Sequence, residues 1–563
     1  ATRAQALPAR IPVTVEVQEA ISGAPLQNLL FEVFDAAQPD RSVGAAYTDA
    51  DGVARFDAPP GSYTLRFEPW DGGDIPDAPL VVEAQPVTAQ VEVATAAHLP
   101  ITVTAEDTLS QPLGNTPAKV WLRGPVTRLL QITDSGDSVA LPPGTYAVEV
   151  SRGFEYSAWT GSVTLTSGDN APLAVTLTHH LPTPGMVGGE FHQHAAPSPD
   201  SDVSVEDRVM SNVADGVDFM APSDHDQLHD YNQTIAALGV RPYLLSLNGS
   251  EVSPTWGHIN GISLTVDPAK AAFGALPLVI EDPSSGRLRQ RKPLDIVRGL
   301  KQEAGASFVQ LNHGRQASQS ILAYVEYDPA LGLSQGLEDQ AFIGEVDMIE
   351  LFNGRDATCN LMRDWYSLLD QGRRVLVVGN SDTHNLNSPA GFPRNYVGVA
   401  DDDPAALTAD TLTGSMGAGD VTIAGGALIR LGDGWRVGED RSVTPDQPFT
   451  IPVTVQSPPW SRTTTLLVIV NGHLDQTITF DPAESDLIDF AGDVTLTLSA
   501  DAHVHFIAFG VEPMSAVYSG APYSVTNALF FDVDGDTDGD TDPFEPAGVG
   551  NVPATVSYLF CDL

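Results

Sequence analysis

The stretch Gly188–Asp202, GGEFHQHAAPSPDSD, ends a strand-like run on two histidines one residue apart. Side chains of an extended chain alternate with period two, so His192 and His194 point to the same side. Two imidazoles there, roughly 7 Å apart along a strand, can close on one metal ion. A lone HxH reads as readily as two polar residues on a wet strand face. The strands that follow have to decide between the two.

From about residue 186 the chain alternates strand, loop and helix. "GEFHQH", "VDFMAPSDHD", "YLLSLNGSE", "GHINGISL", "SFVQLNHG", "DMIELFNG" and "RVLVVGNSDTH" read as strands. "SVEDRVMSNVADG" reads as a helix with Ser204 as N-cap and Val205, Val209 and Val213 on one face. Seven strands with interleaved helices predict a parallel, barrel-like α/β domain. His192, His194, Asp224, His225, Glu251, His313, Asp382 and His384 fall at strand ends, and His258 opens the next strand. In a β/α barrel such ends converge on one mouth, where active sites lie. Of the chain's 13 histidines, seven lie between 192 and 384, and only His229 is outside these positions. Imidazole with carboxylate suits borderline cations such as Zn²⁺ or Mn²⁺. The second HxH, His503 and His505, has no Asp-x-His, Glu or third His in a matching frame and reads as structural. His179 and His180, at a domain junction, read as surface residues.

The chain has 563 residues, which predicts several domains. The formal charge is −45, and four of its 28 basic residues are Lys. Such a surface repels nucleic acid and anionic lipid, so neither is an expected partner. No apolar run approaches the ~20 residues of a membrane span. Ala1 is not Met, which fits removal of a signal peptide and an extracellular, periplasmic or cell-surface location.

Residues 1–97 alternate as strands, and residues 98–182 repeat the plan. Pro142-Pro143-Gly144-Thr145-Tyr146 matches Pro59-Pro60-Gly61-Ser62-Tyr63, an offset of 83 residues. Two tandem β-sandwich modules are expected. They resemble carboxypeptidase-regulatory or Cna-B-like modules. They carry no chemical constellation, which leaves spacing, adhesion or packing on the next domain as their role. Residues 183–430 hold the barrel, and 431–525 read as a C-terminal β-sandwich. The acidic tail, 526–563, contains "DGDTDGDTDPFE". Asp534, Asp536, Asp538, Asp540 and Glu545 fit a Ca²⁺ loop, with a solvated linker as the competing reading. Cys359 and Cys561 are the only cysteines, and a bond between them or two separate thiols are both open.

The set "HQH … SDHD … GSE … GHINGI … NHG … IELFNG … NSDTH … GFPRNYVGV" resembles the PHP (polymerase and histidinol phosphatase) superfamily. More narrowly, it is similar to the CehA/McbA-like metallohydrolases. The resemblance covers about 186–430 and implies a distorted (β/α)7 PHP barrel within a multidomain α/β plus all-β chain. It implies two or three Zn, Mn or Fe ions. One would take His192, His194, Glu251 and Asp382. A second would share Glu251 and add His258 and His313. A third would use His225 and His384. The further His found in some members is absent, and only Asp200 or Asp202 is available in its place. Glu350 matches a family position and reads as a residue behind the ligands.

A metal-bridging hydroxide would be the nucleophile, since no nucleophile-elbow spacing is evident. Arg394 and Arg315 are candidates to complement a negative transition state, or to form structural salt bridges. Asp224 is a candidate to orient His225 or to shuttle a proton. A small-molecule ester is the expected substrate, with phosphoesters favoured. A carbamate, amide or carboxylic ester hydrolase is the alternative, and a non-catalytic, metal-stabilised surface protein is the third reading. Oligomeric state is not legible.

Overall fold

The computed structural model describes residues 9–20, 23–68, 75–93, 96–282, 284–316, 320–353, 356–357, 359–483, 486–514, 517–518, 520–533 and 544–556. The N-terminal part is two β-sandwiches. In the first, Ile11–Glu19, Val53–Ala58 and Val87–Val93 form one sheet, and Leu30–Asp35, Gln38–Tyr47, Gly61–Phe67 and Ala78–Val82 form the other. Alternating Val13, Val15 and Val17 meet Phe31, Val33 and Leu65 between them. The second is built on Ala97–Glu106, with Val120, Leu122, Tyr146 and Val148 in its core. The repeated Pro-Pro-Gly-x-Tyr has a simple cause. Tyr63 Oη donates to Pro59 O, and Tyr146 Oη to Pro142 O, each at 2.8 Å. Each tyrosine buries its ring and pins the turn before its own strand.

The central domain carries the site. β1 (Met186–Glu190), α1 (Val205–Ala214), β2 (Phe219–Met220), α2 (Tyr231–Ala237) and β3 (Leu245–Ser246) follow in order, and the three strands pair in parallel. Ser204 caps α1, its Oγ accepting from Asp207 N at 3.0 Å. A second sheet starts with β4 (Gly249–Val252) and β5 (Ile259–Ile262). It continues, after α3 (Pro293–Gln302), with β6 (Phe308–Leu311). α4 (Ile321–Tyr324) and α5 (Leu337–Gly344) lead to β7 (Met348–Asn353), and α6 (Cys359–Leu369) to β8 (Leu376–Asn380). β9 (Arg394–Gly398), α7 (Ala409–Gly417) and β10 (Val421–Gly425) return to the first sheet.

The expected (β/α)7 barrel is not what the chain forms. The strands lie in two separate open sheets, and each sheet is mixed. β9 runs antiparallel to β1 and β10 antiparallel to β9, while β4–β5 and β5–β6 are also antiparallel. Only β6–β7 and β7–β8 in the second sheet keep the parallel sense. Connection length is one cause. Residues 253–258 alone join β4 to β5, whereas a parallel crossover needs about a dozen residues or more.

The C-terminal segment is correspondingly less separate than its sequence implies. β10 pairs with Tyr523–Thr526, which pairs with Ala502–Phe509, so the first sheet of the central domain runs on into the C-terminal part. A sheet of Leu428–Leu431, Pro448–Gln456 and Ile488–Thr497 packs across it through Ile451, Val453, Phe506 and Phe531. No described helix is long and apolar enough to cross a membrane.

Candidate metal centre

Glu251, on β4, is fully buried and lies at the middle of the cluster. Its Oε1 is 3.0 Å from His258 Nδ1, 3.4 Å from His192 Nε2 and 3.8 Å from His313 Nε2. Its Oε2 is 2.9 Å from His225 Nδ1 and 3.5 Å from His194 Nε2. Asp382 Oδ1 stands 3.1 Å from both His192 Nε2 and His194 Nε2. Asp200 Oδ2 bridges His225 Nε2 at 3.0 Å and His384 Nε2 at 3.1 Å. Nine residues singled out in the sequence thus meet at one place: His192, His194, Asp200, His225, Glu251, His258, His313, Asp382 and His384.

They form four overlapping groups whose ligand atoms lie within 4.8 Å of one another: His192-His194-Asp382, His192-Glu251-His313, His225-Glu251-His258 and His194-Asp200-His225-His384. The first three are largely enclosed. The fourth opens outward, with the side chains of Asp200 and His384 46% and 31% exposed.

The backbone is bent to make this arrangement. His313 and Asp382 sit at φ +31° and +49°, a region that costs a residue with a Cβ of order 1–3 kcal/mol. Behind the ligands stands Glu350 on β7. Its Oε1 lies 2.8 Å from His192 Nδ1, and its Oε2 accepts from His313 N at 2.8 Å. Asn353 and Asn380 donate to the same carboxylate. Ser198 Oγ lies 3.1 Å from His194 Nδ1, and Ser253 Oγ 2.5 Å from His225 Nδ1. These contacts fix ring orientation, as partners behind metal ligands do.

The electrostatics call for positive charge at the centre. Burial opposes ionisation of Glu251, yet the surrounding imidazoles hold its carboxyl well below the usual range. Asp382 is held low by His192 and His194 against the same opposition. Burial disfavours charge on His192, but Asp382, Glu350 and Glu251 raise it well above the ordinary value. Burial also opposes charge on His225, and Glu251 and Asp200 carry it up to about 9. Burial pushes His194 down to about 4, which keeps it neutral and able to ligate. Glu251 Oε2 and His313 Nδ1 are buried without a hydrogen bond. An imidazole-carboxylate set with an unsatisfied central oxygen fits borderline divalent cations.

Three other candidates lie apart from the cluster's chemistry. Asp224 does not contact the His225 ring. Its carboxylate accepts from Ala195 N and Tyr231 Oη, both at 2.9 Å, and burial raises it to about 6. Arg315 forks onto Asp364 at 2.6 and 2.7 Å. Arg394 is fully buried and donates to the carbonyls of Gly391, Gly216 and Asp215 at 2.7–2.9 Å. Both guanidiniums are consumed by structure.

Of the tail set, Asp534, Asp536, Asp538 and Asp540 lie outside the described residues, and Glu545 N donates to Asp501 Oδ2 at 2.6 Å. His503 and His505 are buried, facing Asp370 and Tyr366 at 3.0 and 2.9 Å, so they join the C-terminal sheet to α6. His179 is partly exposed and partly packed. It stacks on Tyr156 at 4.5 Å and lies 3.4 Å from Glu155.

The sequence reading missed Asn312, Arg208, Asn212, Ser198 and Ser253. Asn312 Nδ2 donates to Glu251 Oε1 at 2.6 Å. Its signal was adjacency to His313 in "LNHG"; the others show themselves only through tertiary partners. A cavity of about 740 Å³ lies at the other end of β6, β7 and β8, lined by Phe308, Asp347, Arg373 and Leu376 among others, and has no part in the cluster.

No protein-family model matches the chain, and no curated protein does. Among solved structures, the minor pilin GBS52 of Streptococcus agalactiae aligns at 12% identity and a TM-score of 0.22, over 31% of this chain and 97% of the pilin. A streptococcal ancillary pilin aligns at 14% identity and 0.21, over 30% of this chain and 62% of its own. The shaft pilin SpaA of Lactobacillus rhamnosus GG aligns at 13% identity and 0.16, over 32% and 100%.

The expectation of a phosphoester hydrolase is overturned. The barrel mouth it required is not formed. The two arginines it invoked are engaged elsewhere.

Proposed function

We propose that this chain is a metal-stabilised protein of the cell surface or the extracellular space, holding two or more transition-metal ions in its central domain. One observation carries the reading: five imidazole nitrogens lie within 3.8 Å of the single buried carboxylate Glu251. Without cations, the buried Glu251 and the largely enclosed Asp382 must rely on charge at His192, which they raise well above its ordinary value against the cost of burial. With cations, both carboxylates and the neutral rings become ligands. The resemblance to the PHP superfamily enters this proposal for the ligand set alone. An exported setting is supported by the charge of −45 and by the disulfide at Cys359, since disulfides persist in oxidising compartments. The test is thermal unfolding before and after chelation. A drop in Tm that Zn²⁺ or Mn²⁺ restores supports the reading, and an unchanged Tm with no metal in the untreated protein rejects it.

A second reading is that of an enzyme, and it draws on the open fourth group. Structural metal sites are closed, whereas catalytic ones keep an accessible position. A divalent ion held there by His194, Asp200, His225 and His384 would supply a Lewis acid to polarise an acyl oxygen and acidify water. The substrates in question are aryl carbamates, amides and carboxylic esters. Turnover abolished by both His192→Ala and Asp382→Ala would favour this reading. No turnover by a metal-replete preparation would leave the non-catalytic one.

A further inference from the structure

α1 has no basic residue in its last turn to meet its C-terminal carbonyls. The cations that do so come from elsewhere. Arg152, in the second β-sandwich, donates to Val213 O at 2.8 Å and to Pro117 O at 2.9 Å. Lys119 of the same sandwich forms a buried ion pair with Asp215, the C-cap of α1. Arg394 of β9 donates to Asp215 O and Gly216 O, both at 2.7 Å. Charge at a helix C-terminus is stabilising when positive. Here, two of the three positive groups belong to a different domain.

The other face of α1 grips the metal ligands' backbone. Arg208 is fully buried and donates from Nε to His194 O at 2.9 Å and from Nη2 to Thr383 O at 3.2 Å. Thr383 lies between Asp382 and His384, and its carbonyl also accepts from His194 N at 3.0 Å. One turn on, Asn212 exchanges amide hydrogen bonds with Gln193, the residue between His192 and His194, at 2.7 and 3.2 Å. One helix therefore holds both H-x-H and D-x-H.

We propose that the second β-sandwich is part of the metal centre's scaffold: Lys119 and Arg152 fix α1, and α1 positions His192, His194, Asp382 and His384 through Arg208 and Asn212. None of Lys119, Arg152, Arg208 and Asn212 touches a ligand atom, so they are positioning residues. This rests on the metal-centre reading given above, and it adds a role to a module that shows no chemistry of its own.

The test uses the full chain and four variants: Lys119→Met, Arg208→Met, Asn212→Ala and, as control, Arg123→Met. Arg123 lies on the same strand as Lys119 but is exposed and pairs with Glu149. Metal content, Zn²⁺ affinity by chelator competition, and the visible spectrum of the Co²⁺-loaded protein are measured on each. The first three variants should lose at least fivefold in affinity and shift the Co²⁺ bands, with the control within twofold of the parent. In a further Lys119→Met/Arg208→Met double variant the two effects should be less than additive, since they act through one helix. Should Arg208→Met fail to fold, Asn212→Ala, which removes a single amide pair, decides in its place. Variants folded as the parent, with affinity within twofold and the same spectrum, overturn the proposal. A parent without metal sinks the metal-centre reading instead. Amide exchange at 192–194 and 382–384 then decides the scaffold role: protection at least tenfold lower in Lys119→Met than in the control supports it, and equal protection ends it.

Discussion

His192 Nδ1 and Glu350 Oε1 lie 2.8 Å apart with both side chains fully buried. The contact fixes which imidazole nitrogen faces Glu251 and Asp382. It also explains why Glu350 is no ligand itself: its two oxygens are occupied by His192, His313 N, Asn353 and Asn380. Residues in this position behind a ligand are worth about 10–100-fold in metal affinity. Glu350→Ala is expected to weaken Zn²⁺ binding by that factor, as read by chelator competition. Glu350→Gln should be no milder, because it would set an NH₂ group against donors. Affinity within twofold of the parent in both would dismiss the assignment.

Chelation should lower Tm, because an ion bound only by the folded state stabilises it by RT ln(1 + [L]/Kd), about 4 kcal/mol at a thousandfold excess over Kd. The loss should be reversed by Zn²⁺ or Mn²⁺. Recovery with Ca²⁺ alone would move the effect to the acidic tail.

A carboxyl away from the centre gives a pH dependence. Asp420 is raised to about 6, burial being the largest cause, with Arg436 opposing and Glu439 adding. Its folded pKa lies above its unfolded value, so the stability it contributes is complete below about 4 and is lost as pH rises through about 6. Asp420→Asn should therefore stabilise the protein at pH 8, by about 1–2 kcal/mol after allowance for partial exposure, and change little at pH 4. Denaturant midpoints at the two pH values check this, and an equal shift at both would contradict it.

Much of the cluster was legible because its imidazoles and carboxylates recur on or just after successive strands. His192 and His194 follow β1 with one residue between them, and Asp382 and His384 follow β8 in the same way. Of Asp200 and Asp202, the two acids on offer after the H-x-H, Asp200 is the one that reaches His225 and His384. What the sequence hides is direction. "GSE" and "GHINGI" read as successive βα strands, but the residues between them are too few for a crossover, so the pair turns back. Arg394 and Arg315 show a similar limit. A guanidinium near a motif in sequence goes to whichever carbonyl or carboxylate packing supplies, and here that is Asp215 O and Asp364. Arg208 was invisible for the converse reason, as a charge among the buried residues of its helix, whose partners are backbone carbonyls distant in sequence.

Cys359 is disulfide-bonded and no described cysteine is free. The chain's one other cysteine, Cys561, lies outside the described residues. Thiol titration of the denatured, non-reduced protein should find no free thiol. Two free thiols would rule out the bond and weaken the case for an oxidising location.

The most direct measurement is the metal content of the purified, full-length protein by elemental analysis, beside His192→Ala and Asp382→Ala. The parent should carry two or more equivalents of Zn, Mn or Fe, and each variant should lose at least one while keeping its far-UV spectrum. A parent below about a tenth of an equivalent that takes up none on dialysis against Zn²⁺, Mn²⁺ or Fe²⁺ would contradict the metal centre.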